Sequence, residues 1–330
     1  MNVPTTAGLR GLSVVSDKVI WASGTGGTVI RSVDGGKTWS VMTVPGAEKL
    51  DFRGVRGFDA NTAIIISSGP AEQGQAEIYR TVDGGKTWSQ VYEQKTPGIF
   101  FDAIAFWNRK DGIVLSDPVA GHFALFVTDD GGLHWKQLPA SALPRALPNE
   151  GAFAASNSCL TVQGKANVWF ATGGAGVARV FRSFDRGRSW TVSETPLHPA
   201  NASSGIFSLE FANAKNGVAV GGDYQHPEGS NLPNVLQTSD GGQTWHIGLP
   251  TDPAGIYFSS VALDHQRIIV AGIKGLWSSS IHLGPTGMKT GSPQPANWRQ
   301  DRTENLNTVA ACSRRVWAVG PNGTVLMRSK

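Results

Sequence analysis

The chain has 330 residues; 16% are charged, 41 are glycine, and 29 basic against 25 acidic side chains leave a net charge of +4. This excludes a helical protein, which would be rich in Ala, Leu, Glu and Lys, and the 40% apolar content excludes disorder. No apolar run approaches the roughly 20 residues of a membrane-spanning helix, and the basic residues are too dispersed for a nucleic-acid footprint.

Taken in chain order, residues 1–8 (MNVPTTAG) lack the basic start and apolar core of a signal peptide. The expectation is a periplasmic or secreted protein whose leader is absent from this chain, or a cytoplasmic one if Met1 is the native start. The strand-like runs VIWASG and TVIRS then lead into the string RSVDGGKTW at 31–39. AIIISSG and EIYRT lead into RTVDGGKTW at 80–88, and GIVLSD and ALFVT into VTDDGGLHW at 127–135. VWFATGG and RVFRS lead into RSFDRGRSW at 182–190, and a fifth copy, QTSDGGQTW, spans 237–245. Two further strand pairs, IIVAGI–GLWSS (268–279) and VWAVGPNGTVLMRS (316–329), lack the string.

Each string reads as a hairpin turn, hereafter a box. The Asp carboxylate accepts N–H groups of its own turn, the glycines supply positive φ, and the Trp buries its ring against the neighbouring repeat. The box aspartates Asp34, Asp83, Asp130, Asp185 and Asp240 are spaced by 49, 47, 55 and 55 residues. Seven units of about 47 residues predict an all-β fold: a single seven-bladed β-propeller over 1–330, with four-stranded antiparallel blades. The last unit stops where others enter their box, so residues Asn2–Thr6 are expected to supply its fourth strand and close the last blade.

The boxes resemble the Asp-box, or BNR, repeat. The seven-unit layout, with RSVDGGKTW-type boxes and GVAVGG strands, is similar to propellers of the photosystem II stability and assembly factor type. That resemblance implies a protein-binding role with an arginine patch contacting a client, for which Arg10, Arg53 and Arg56 are the nearest candidates. A sialidase would imply an Arg-Ile-Pro motif near the first blade; Phe52-Arg53-Gly54-Val55 departs from it, and the sialidase reading is dropped.

Blade topology places the boxes at one end of each blade and the second-to-third strand turns at the other. The end opposite the boxes collects Arg10, Arg53, Asp102 and Asn307 from the starts of first strands. It also collects Asp117 and His122 (SDPVAGH), Asp223, Tyr224 and His226 (GGDYQHPEG), Lys274, and Glu150 from the connection LPRALPNEGAF. Asp117, Glu150 and Asp223 are the candidate catalytic acids, and the others are ligand-binding candidates. Three acids sharing a mouth would raise at least one pKa, the condition for a general acid.

Two functions compete. The first is a rigid binding or assembly module that engages a polar ligand or a client protein through the face opposite the boxes. The alternative is a glycan-active hydrolase or lyase using acids of blades three to five, with a carbohydrate as the ligand. Whether the chain is an enzyme stays open at this stage. No G-x-S-x-G elbow or HExxH is present, and no metal or cofactor is expected. Cys159 and Cys312 fall nearly opposite in the predicted ring and are expected to remain thiols in a monomer.

Overall fold

The computed structural model describes residues 3–229, 232–248, 255–264, 267–280, 298–312 and 315–329. Seven antiparallel sheets follow one another along the chain, each formed by strands paired in sequence order, which makes the fold a seven-bladed β-propeller. Blade one is Leu9–Val14, Ile20–Gly24, Thr28–Ser32 and Ser40–Thr43; blade two is Gly54–Gly57, Ala63–Ile66, Ala76–Thr81 and Ser89–Gln94. Blade three is Phe101–Phe106, Gly112–Val119, His122–Thr128 and Lys136–Gln137; blade four is Leu160–Gln163, Asn167–Ala171, Arg179–Ser183 and Thr191–Glu194. Blade five is Ser204–Phe211, Gly217–Asp223, Val235–Thr238 and His246–Ile247; blade six is Ser260–Asp264, Arg267–Gly272, Gly275–Ser280 and Arg299–Arg302. Blade seven contributes Thr308–Cys312, Arg315–Val319 and Val325–Ser329. Among the described residues there is no α-helix, so none is long and apolar enough to cross a membrane.

The strand pattern follows from the sequence. Second strands are continuous apolar runs, such as Ala63–Ile66 with all four residues buried, because both faces of a blade are covered by its neighbours. Fourth strands are polar and short, as in Ser40–Thr43 and Ser89–Gln94, which suits an outer edge exposed to water.

Packing divides the chain into two compact units. Unit one is Met1–Ser141, Ala154–Asn157 and Asn307–Lys330, and holds blades one, two, three and seven; unit two is Ala142–Phe153 and Ser158–Leu306, with blades four, five and six. In unit one, the Trp39 ring of the first box meets Trp317 of blade seven edge-on at 6.0 Å, and Trp88 of the second box meets Trp21 of blade one at 6.3 Å. In unit two, Trp245 of the fifth box shares a core with Trp169 of blade four. Box tryptophans thus bury their rings against the preceding blade, as the repeat pattern implies.

Blade seven has three strands among the described residues. The expected closing segment Asn2–Thr6 begins outside them. Its described part lies on blade seven: Val3 shares a buried cluster with Trp317, Val319 and Val325, and just beyond it Gly323 N–H donates to Ala7 O at 2.8 Å. Leu9 N–H donates to Gly320 O at 3.0 Å, joining blade one to blade seven inside unit one. Cys159 is buried, Cys312 is half-buried, and neither belongs to a disulfide.

Candidate functional site

The boxes settle which end of each blade is which. In the second box, Asp83 Oδ1 accepts the Thr81 hydroxyl at 2.9 Å and Thr87 N–H at 3.0 Å, while Oδ2 accepts the Thr87 hydroxyl at 2.6 Å. Gly84 and Gly85 sit at φ +80° and +84°, where a side chain is resisted. The Thr87 hydroxyl and N–H bonds, opposed only by slight burial, hold the Asp83 carboxyl down at about 2, and Asp34 is held likewise by Thr38. Each box also docks on the turn between first and second strands of its own blade. Gly35 N–H donates to Lys18 O, Gly84 to Asn61 O, Gly131 to Lys110 O, Arg186 to Ala166 O and Gly241 to Lys215 O, at 2.8–3.0 Å. The second-to-third strand turns therefore lie at the opposite end of every blade.

At that opposite end, unit one gathers an arginine–aspartate cluster. Arg10 is the second residue of blade one's first strand, and Arg53 immediately precedes that of blade two. Arg53 Nε donates to Asp51 Oδ2 at 2.7 Å, and its Nη1 reaches Ala154 O at 3.4 Å. Arg10 Nη1 reaches Ala155 O at 3.3 Å. The next residue of note, Asp102, is 1% exposed, and its Oδ2 has no hydrogen-bond partner, nor has the buried Oδ1 of Asp51. Burial, reinforced by the negative charge of Asp117, pushes the Asp102 carboxyl well above the ordinary range, against the opposing pull of Arg53. Asp102 is thus a buried carboxyl of raised pKa that feels the charge of Arg53. Asn307 Nδ2 donates to Leu9 O at 2.8 Å and joins the first strands of blades seven and one. Arg56, three residues after Arg53, is exposed and places its guanidinium 6.0 Å from the Phe58 ring.

The segment SDPVAGH departs from the loop it is expected to form. Strands run straight through Asp117 to Val119 and resume at His122, leaving Ala120 and Gly121 as a two-residue turn with φ +53° and +80°. The pairing shifts at Ser116/Pro118, a bulge that lets the strand accommodate proline. Asp117 and His122 are strand residues of a hairpin.

In unit two the candidates separate. Glu150 is not offered to a ligand: its side chain has no exposure and all its acceptors are engaged. Oε1 accepts the Thr172 hydroxyl at 2.6 Å and Arg179 Nε at 2.9 Å; Oε2 accepts Leu147 N–H at 2.8 Å and Arg179 Nη2 at 2.5 Å. It is a buried clamp that fixes the long connection to blade four. Asp223 ends blade five's second strand and is 5% exposed. Burial pushes its carboxyl up, but hydrogen bonds from Ser203, Asn201, His226 and Gln225 N–H outweigh that and hold it far below the ordinary range. Of the three candidate acids, Asp223 is therefore held ionised rather than as a proton holder, and the carboxyl that burial raises is Asp102 in unit one. Tyr224 is 49% exposed and packs edge-on to Phe153 and Phe207, which stack at 3.9 Å. His226 pairs with Asp223, and Lys274 with Glu228 at 2.6 Å on an exposed rim, where such a pair contributes little.

Several partners were not legible from the sequence: Arg179, which completes Glu150; Ala154, Ala155 and Asn157, which meet the first strands of unit one; and Asn201 with Ser203, which occupy Asp223. Asp51 alone carried a signal, since its spacing of two from Arg53 places both on one side of an extended chain. Among the described residues no group of three or more His, Cys, Asp or Glu side chains could hold a metal ion.

Fold and site together define a seven-bladed propeller with a half-buried arginine–aspartate cluster opposite its turn boxes. Solved structures place it more narrowly. The chain is similar to YCF48 from Cyanidioschyzon merolae, with a TM-score of 0.68 at 18% identity, covering 99% of this chain and 97% of that one. It is similar to the structure of YCF48 bound to D1 peptide, with a TM-score of 0.66 at 16% identity over 100% of this chain and 94% of that one. The chain is also similar to the computationally designed Ika8 protein, with a TM-score of 0.56 at 12% identity, covering 98% of this chain and 97% of that one. At these identities the likeness is one of fold, and it agrees with the resemblance read from the boxes. No protein-family model matches the chain, and no curated protein matches its sequence.

Proposed function

We propose that this protein is a binding module that engages a segment of a client polypeptide through the face opposite the boxes, with Arg10, Arg53 and Asp102 at the centre of the seat. One observation carries the reading: two first-strand arginines converge on main-chain carbonyls of an extended stretch, Ala155 O and Ala154 O. A cluster that already holds polypeptide backbone has the donors another polypeptide needs. Guanidinium donors at the seat suit a carbonyl-rich or carboxylate-bearing client. That a propeller of this fold has been solved with a D1 peptide bound supports the reading by analogy of fold.

A glycan hydrolase is less well supported. It needs a protonated acid and an ionised one in one open site. Of the candidates in unit two, Glu150 is sealed in its ion pair and Asp223 is ionised and fully bonded.

The test is an array of overlapping 15-residue peptides, each with a free or an amidated C-terminus, probed with wild-type protein and Arg53→Ala. Binding by the wild type to a defined subset, weakened about tenfold or more in Arg53→Ala, is expected; tenfold corresponds to about 1.4 kcal/mol. Equal binding by both proteins would remove the cluster from the seat.

A further inference from the structure

The stretch that the two arginines hold is part of the chain itself. Ala154 and Ala155 are buried but bring only methyl groups, and their carbonyl bonds, at 3.4 and 3.3 Å, are longer than the usual 2.7–3.2 Å. Asn157 adds a pair of hydrogen bonds. Its Oδ1 accepts Ile104 N–H at 2.8 Å and its Nδ2 donates to Ile104 O at 3.2 Å. One carboxamide thereby supplies the donor and the acceptor that one residue of a neighbouring strand would supply to the first strand of blade three. Asn157 does this from φ +61°, a conformation that Asn tolerates better than most side chains but that is still costly. Gly54 makes room for it, since a Cβ there would come within 2.6 Å of Asn157 Oδ1.

From this geometry we infer that residues 154–157 are a built-in surrogate for the client: a strap seated on Arg10, Arg53 and the Ile104 edge, displaced when an extended segment with small side chains takes its place. This rests on the client-binding reading above. A strap that only filled space would be expected to carry bulky apolar side chains. Here Ala-Ala-Ser-Asn presents backbone carbonyls to cations and the Asn157 carboxamide to a strand edge, a pattern like that by which strands add to edges. The occupant it mimics is a main chain with small residues, recognised by carbonyl contacts to the arginines and by one residue of strand pairing at Ile104.

The probe is a fluorescein-labelled synthetic hexapeptide, Phe-Ala-Ala-Ser-Asn-Ser, the sequence of residues 153–158. Asn157→Ala frees the Ile104 edge and loosens the strap, so it should bind the hexapeptide at least tenfold more tightly than wild type. Adding Arg53→Ala should abolish that gain. An Asn157→Ala protein that melts cooperatively yet binds the hexapeptide no better than wild type overturns the proposal. Hydrogen exchange on the wild type decides the matter even if that variant does not fold. Amides of residues 154–157 should exchange at least a hundredfold faster than those of Ala103 and Ala105, and faster still with hexapeptide present; equal protection overturns the strap. The outcomes stay distinct from those of the peptide array: an array without binders removes the client reading, whereas binders with an immovable strap remove only the displacement.

Discussion

Asp83 and Asp102 are both aspartates at strand ends, and the protein treats them in opposite ways. Asp83, in a box, lies at the surface with both oxygens engaged by its own turn, and its carboxyl is held at about 2. Asp102, at the other end of the blades, is buried with one oxygen unpartnered, and its carboxyl is raised. The first is the more conspicuous in sequence and does structural work. The second carries no motif, yet its burial leaves polar capacity unspent, which is what a binding site requires.

The largest expected effect breaks a buried acid whose two oxygens are both engaged. Glu150→Ala leaves Arg179 as an uncompensated charge and should cost about 3–5 kcal/mol in urea unfolding. A cost near zero would mean that the long connection is not fastened by this pair.

Next comes a pH effect from a carboxyl on the raised side of the comparison. Glu210, half-buried with Leu263 N–H on its Oε2, is pushed up by desolvation from 4.5 to about 7. Below pH 4.5 folded and unfolded chains both hold the proton. Between there and about pH 7 only the folded chain does, so stability falls as pH rises through that window. Glu210→Gln should abolish this part of the decline in melting temperature, and an unchanged pH profile would show that the group is already ionised in the fold. Asp102→Asn should act in the same direction, stabilising the protein at neutral pH.

The smallest effect belongs to the boxes. Asp83→Ala should lower the melting temperature modestly at pH 7, because its turn bonds are lost at an exposed site. The Asp34 and Asp83 contributions are complete above 3.8 and vanish as pH falls through about 2, so wild type and Asp83→Ala should converge there. Convergence at higher pH would mean that the turn does not depend on the ionised carboxylate.

How much of this was legible in the sequence follows from the same contrast. Five boxes and paired apolar runs announce blades, because a turn that caps itself uses local residues at fixed offsets. Burial of the box tryptophans follows from that register. The far end is built from partners distant in sequence: Glu150 with Arg179, Asn157 with Ile104, Arg10 with Ala155. None has a local pattern, and the strap's Ala-Ala-Ser reads as loop. Asp117 is expected in a loop because it follows an apolar run, but a bulge carries the strand through.

The most direct measurement compares peptide binding by Arg53→Ala and Asp83→Ala on the same free- and amidated-end array, with melting curves as folding controls. Loss in Arg53→Ala with wild-type binding in Asp83→Ala is the expected result. Binding lost in a folded Asp83→Ala and kept in Arg53→Ala would put the functional face on the side of the boxes.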